Sequence, residues 1–300
     1  MANNIKGTHF QGPVLGSDAT RGGLFRDVPV AAHERVRSPY KVIVEDFPVA
    51  VADNSLPLGG LTETDLNTAT SPSTLINVDG LLINAGTKAD AGTSIQFNAA
   101  PAALTTISHT YRTIGPITST ATLMDNKEIF FETRVGFQGE ATVWDGKAIV
   151  AWMVTDATPL ATATGALTIA DGGGMGFAVA ETGELSYFSS AAAITTSTDT
   201  GINVLTDVAA EASGDFKFYT LGCRALITDA SASTGSTEFY VNGRKVATLV
   251  DSVPMDSTEV YSMTYTCVNG PAQESDMLID WIVTGKTREG LVRPYSAGNW

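Results

Sequence analysis

Residues 128–137 read Glu-Ile-Phe-Phe-Glu-Thr-Arg-Val-Gly-Phe, and their alternation decides the fold class. Ile129, Phe131, Thr133, Val135 and Phe137 fall on one face of an extended chain, and Glu128, Phe130, Glu132 and Arg134 fall on the other. That is the period of two expected of a β-strand with one face on a core. Ala148–Thr155 (AIVAWMVT) follows and is nearly all apolar, as a central strand covered on both faces would be.

Downstream the pattern repeats as short β-rich runs between turn signals. Met175–Ala180 and Leu185–Phe188 flank Glu181-Thr182-Gly183-Glu184, and Ser189–Thr200 reads as a surface strand or loop. Phe216–Ile227 alternates. Thr237–Asn242 and Lys245–Val250 form a hairpin around Asn242-Gly243, a strong short-range hairpin signal. Val260–Val268 and Asp276–Gly285 are further strands. Upstream, Lys41–Val51, Leu75–Val78, Gly80–Asn84, Thr93–Phe97 and Ser108–Ile114 read as strands. Asp79-Gly80 marks a turn, and Asp53–Ser73 reads as loop. The only helical suggestion is a turn near Asp207–Ala212. The predicted fold class is therefore all-β, an antiparallel sandwich.

Charge divides the chain into three. Residues 1–41 carry six Lys/Arg against three acids, net +3, and residues 286–300 carry three against one, net +2. Residues 42–285 carry nine basic and 28 acidic residues, net −19. The expected organisation is an extended N-terminal arm (1–41), a sandwich body (42–285) and a C-terminal tail (286–300). The ends are rich in Gly, Pro and lone aromatics and lack a regular period, so they cannot bury enough surface to fold alone. Phe10, Leu15, Arg21, Leu24, Phe25, Arg26, Arg35 and Arg37 in the arm, and Arg293, Tyr295 and Trp300 in the tail, are the candidate partner contacts. Spaced anchors of this kind suit docking into a partner's pockets; a strap across the protein's own body is the alternative.

The overall charge of −14 argues against direct contact with nucleic acid. No run of about 18 apolar residues suggests a membrane span, and the first residues lack the apolar region of a secretory signal. Cys223 and Cys267 read as buried thiols. His9, His33 and His109 lie too far apart in sequence to suggest a metal site. Asp79 and Asp171 sit beside glycines and read as turn residues before they read as calcium ligands. No metal and no cofactor is expected.

The candidate ligand face is Glu132 and Arg134, with Trp144 beside the Asp145-Gly146 turn. Glu132 and Arg134 suit contact with a sugar or partner in a shallow groove. The more heavily weighted alternative is a cross-strand ion pair on a solvated face, worth about 0–1 kcal/mol. A retaining glycosidase needs two carboxylates about 5–5.5 Å apart. Arg134 stands two residues after Glu132, and Ile282 two after Asp280, so no acid pair is found and no enzyme is expected.

The order of features over residues 120–288 carries a resemblance. It runs from FFETRV through an apolar strand into MGFAVAETGELSYF, then TDTGINV, the hairpin EFYVNGRKVATL, a strand ending CVNG and the closing MLIDWIVTGKTRE. This resembles the concanavalin A-like jelly roll, especially the versions in tailed-bacteriophage virion proteins. The start MANNIKGTHFQGPVLGS resembles the arms of such proteins. The resemblance implies a non-enzymatic virion structural protein, most similar to a capsid decoration (cement) protein. It would be made in the host cytoplasm and sit on the capsid exterior. There it would bind the major capsid protein or copies of itself, as a trimer by analogy with other decoration proteins. The alternative is a carbohydrate-binding fibre or tail protein that recognises host or environmental glycans.

Overall fold

A computed structural model describes residues 40–45, 61–66, 73–77, 80–84, 92–97, 127–139, 147–154, 173–194, 196–204, 216–229, 232–254, 261–268 and 275–287. The candidate partner contacts of the arm and tail all lie outside these; of residues 1–41 and 286–300 only Tyr40, Lys41, Lys286 and Thr287 are described. Also outside are Trp144, the three histidines, Asp79, Asp171, and the expectations at 108–114 and 207–212.

Fifteen strands make up the regular elements among the described residues. The first five are β1 (Tyr40–Glu45), β2 (Leu61–Leu66), β3 (Ser73–Asn77), β4 (Gly80–Asn84) and β5 (Gly92–Phe97). Next come β6 (Lys127–Gly139), β7 (Lys147–Val154), β8 (Gly174–Val179), β9 (Glu184–Ser190) and β10 (Thr198–Asn203). The last are β11 (Lys217–Asp229), β12 (Thr234–Val241), β13 (Arg244–Val250), β14 (Tyr261–Val268) and β15 (Ser275–Thr287). They form two antiparallel sheets. The larger has the order β13-β12-β11-β6-β15-β4-β3, with β1 also paired to β15; the smaller has the order β10-β9-β8-β7-β14-β5-β2. This is the two-sheet sandwich of a concanavalin A-like jelly roll, as the resemblance implies.

The alternation in β6 does what its spacing predicts. Ile129, Phe131, Val135 and Phe137 enter the core. Opposite them the smaller sheet contributes Val150, Trp152, Met175, Phe177 and Tyr265. Phe177 meets Phe239 edge-on, with centroids 5.8 Å apart and planes at 88°, the geometry that the aromatic quadrupole favours. Each such ring removed from water contributes about 2–3 kcal/mol. β7 is buried on both faces from Ala148 to Met153. The thiols of Cys223 and Cys267 are buried, and burial raises both above the ordinary thiol range.

Local chemistry sets the turns. Asn242 and Gly243 have φ of 50° and 73°, the pair of left-handed residues that a type I′ hairpin needs. β3 and β4 pair with Asn77 opposite Gly80, so Gly80 begins a strand and does not form the middle of the turn. Two elements differ from the sequence reading. β2 forms inside a stretch read as loop, because its charged, polar sequence LTETDL hides an edge strand. Tyr40 and Lys41 belong to β1, and Lys286 and Thr287 to β15, where Tyr40 stands opposite Thr287.

Candidate functional site

The larger sheet has one face on the core and one turned away from the smaller sheet. The second face carries Glu128, Phe130, Glu132 and Arg134 on β6. The register extends it sideways: Arg224 opposite Phe130, Gly222 opposite Glu132 and Thr220 opposite Arg134 on β11. On β15, Gly285, Val283 and Trp281 stand opposite Phe130, Glu132 and Arg134. On β12, Tyr240 is opposite Gly222 and Glu238 opposite Arg224.

A register shift between Ile279 and Trp281 inserts Asp280 into β15 as a bulge. A bulge bends its strand and redirects side chains. Here it brings Asp280 to Arg134, whose Nη1 donates to Oδ2 of Asp280 in an ion pair. The bulge is tied to the core. The Thr133 hydroxyl donates to the carbonyl of Trp281 at 2.8 Å and accepts from the hydroxyl of Tyr265, in the other sheet, at 3.0 Å. The guanidinium of Arg134 lies over the Phe218 ring, 4.1 Å from its centroid, a cation–π contact. Gly136, opposite Phe218, makes this packing possible: a Cβ there would come within 2.9 Å of Phe216 and 3.0 Å of Phe218. The side chains of Arg134 and Asp280 keep 40% and 20% of their exposure, and Trp281 and Phe218 are half-buried. This end of the face is accessible.

Glu132 is different. It is 2% exposed, its Oε1 has no hydrogen-bond partner, and burial pushes its carboxyl up to about 8. Desolvation disfavours the charged form, and Arg134, two residues on, is committed to Asp280. The expectation of a solvated face thus fails at Glu132, and the ion pair of Arg134 is made with Asp280, 146 residues away in sequence. At the other end of the face Arg224 Nη2 donates to Glu128 Oε1 at 3.1 Å. Lys245 Nζ donates to Glu238 Oε1 at 3.1 Å, and the Tyr240 hydroxyl donates to Glu238 Oε2 at 2.8 Å. Burial pulls Glu238 upward, but Tyr240, Lys245 and Arg224 together outweigh it and hold its carboxyl below the usual range.

The sequence reading named Glu132 and Arg134, weighed Asp280 only as half of an acid pair, and missed the place of Asp280 and Trp281 beside Arg134, Phe218 beneath it and the Glu128–Arg224 pair. Trp281 was visible only as one more strand residue. No group of three or more His, Cys, Asp or Glu suited to a metal ion occurs among the described residues.

No protein-family model matches the chain, and no curated protein matches it in sequence. Solved structures do match in fold. The carbohydrate recognition domain of Emp46p in its potassium-bound form is 9% identical, over 83% of this chain and 96% of that one, with a TM-score of 0.45. Arcelin-5, a lectin-like defence protein from Phaseolus vulgaris, is 9% identical over 83% and 100%, with a TM-score of 0.46. An endo-1,3-β-glucanase from Streptomyces sioyaensis is 11% identical over 84% and 98%, with a TM-score of 0.46. Further glucanases and a glucuronan lyase match as well. The expectation of a non-enzymatic chain is corrected here. Glucanases and a glucuronan lyase are among the solved structures it resembles in fold, so the fold class gives no ground for that expectation. The sequence argument compared carboxylates on one strand alone, whereas the fold sets Asp280 of β15 beside Arg134 of β6.

Proposed function

We propose that this chain is a carbohydrate-binding protein and that a saccharide docks on the larger sheet beside Arg134 and Trp281. One observation carries the reading. Arg134 lies over the Phe218 ring, paired with Asp280 and opposite Trp281 in register. Aromatic rings offer an apolar platform to the C–H face of a sugar ring. A fixed guanidinium–carboxylate pair offers donors and acceptors side by side to neighbouring hydroxyls. Both are partly exposed and held by packing, which limits the entropy lost on binding.

A glycan array followed by calorimetry tests this. Saccharide binding that falls at least about tenfold in both Trp281→Ala and Arg134→Ala supports the reading; an array without hits, or binding unchanged in both variants, overturns it. Mass spectrometry of the bound oligosaccharide shows whether it is also cleaved.

The charge distribution favours a second reading, a phage capsid decoration protein on the virion exterior. The cationic ends at 1–41 and 286–300 would bind the major capsid protein or other copies of this chain, trimers included. Segments that order on binding wrap large surfaces. Because β1 begins at Tyr40, the truncation that tests this removes residues 1–39. Loss of the shortened, folded chain from assembled heads supports the reading, and normal incorporation refutes it.

A further inference from the structure

We propose that the saccharide taken by this face is a neutral one, and that carboxylated, sulfated and cationic sugars are rejected. This rests on the saccharide reading above and names the class of ligand within it.

Among the described residues, three ion pairs lie on this face. Arg134 is paired with Asp280 on β15, Arg224 on β11 with Glu128 on β6, and Lys245 on β13 with Glu238 on β12. Three cations thus face three carboxylates. Glu132, the other acid of β6, is kept protonated at neutral pH by its burial, so it adds no charge there. A ligand carboxylate or sulfate reaching Arg134 would have to share a guanidinium that Asp280 already occupies. It would also approach through the field of a body carrying 28 acidic and nine basic residues, which repels anions. A cationic sugar is drawn by the same field, but to reach the Asp280 carboxylate it would have to displace Arg134, which already occupies it. A hydroxyl needs neither pair to open, because it donates to an occupied carboxylate oxygen and accepts from the remaining guanidinium N–H groups.

The test is calorimetry with the full chain and three matched oligosaccharides: a neutral galactan, an oligogalacturonate and an oligoglucosamine, each at 50 and 500 mM NaCl. The expected result is that the neutral oligomer binds at least about tenfold tighter than either charged one, with affinity changing less than about twofold across that salt range. Equal or tighter binding of the galacturonate or the glucosamine overturns the proposal and leaves the saccharide reading standing. Binding of none, from this set or from an array, overturns both.

Discussion

The Thr133 hydroxyl donates its hydrogen bond to the carbonyl of Trp281, 148 residues away, at the point where β15 bulges. Thr133 faces the core and Trp281 stands on the opposite side of the sheet, in register with Arg134. The bond therefore fixes the accessible face from beneath, and Tyr265 of the other sheet anchors it. Removing that hydroxyl should be felt twice. Thr133→Val is expected to lose about 1–3 kcal/mol of stability, because buried polar groups lose a partner. Any saccharide bound beside Trp281 should weaken in the same variant. Thr133→Ser should restore both. Denaturant unfolding and calorimetry on the two variants check this; a stable Thr133→Val chain with unaltered affinity would show that the bulge holds its shape without the bond.

Arg134 gives the opposite separation of stability from binding. Its pair with Asp280 is partly exposed, and pairs of that kind are worth about 0–1 kcal/mol. Arg134→Ala should lower stability by no more than about that amount, together with a small loss from the Phe218 contact, while saccharide affinity falls about tenfold or more. A loss of several kcal/mol in thermal or denaturant unfolding would instead make the pair a structural element.

Glu132 should give the chain a pH-dependent stability. An unfolded glutamate ionises near 4.5, whereas folded Glu132 keeps its proton to about 8. Between those values the folded chain binds the extra proton, so this group's contribution is full below about 4.5 and is lost as pH rises toward about 8. The slope approaches 1.4 kcal/mol per pH unit. Glu132→Gln cannot ionise and should remove this component. Melting curves from about pH 5 to pH 9 should therefore converge at the acid end and separate at the alkaline end, with the variant the more stable. Parallel curves would mean that Glu132 titrates normally.

Gly136 tests the packing under Arg134. A methyl there meets Phe216 and Phe218 at 2.9 and 3.0 Å, so Gly136→Ala must move the ring on which the guanidinium lies. The expected cost is about 1–3 kcal/mol, together with weaker saccharide binding. Unchanged unfolding and binding would show that the two rings give way freely.

What the sequence disclosed follows from the range of the interactions. The alternation of β6, the apolar run of β7 and the Asn242-Gly243 turn are local, and each maps onto the structure almost residue for residue. β2 stayed hidden because a polar edge strand carries the same residues as a loop. The site was half legible. Glu132 and Arg134 share a face because β6 alternates, and that much is local. The bulge at Asp280 is not, because DMLIDWIVTG reads as an unbroken strand and only the pairing with β6 reveals the inserted residue. The burial of Glu132 likewise depends on what the fold places around the outer face of β6 and cannot be read from its neighbours in sequence.

The most direct test of the central claim is a titration of the isotope-labelled chain with a neutral oligosaccharide, followed by amide and side-chain NMR shifts. The expected result is a saturable set of shifts centred on Arg134, Phe218, Asp280 and Trp281, with the Trp281 indole among the largest. Shifts that cluster elsewhere on the sandwich while these four stay unmoved would contradict it.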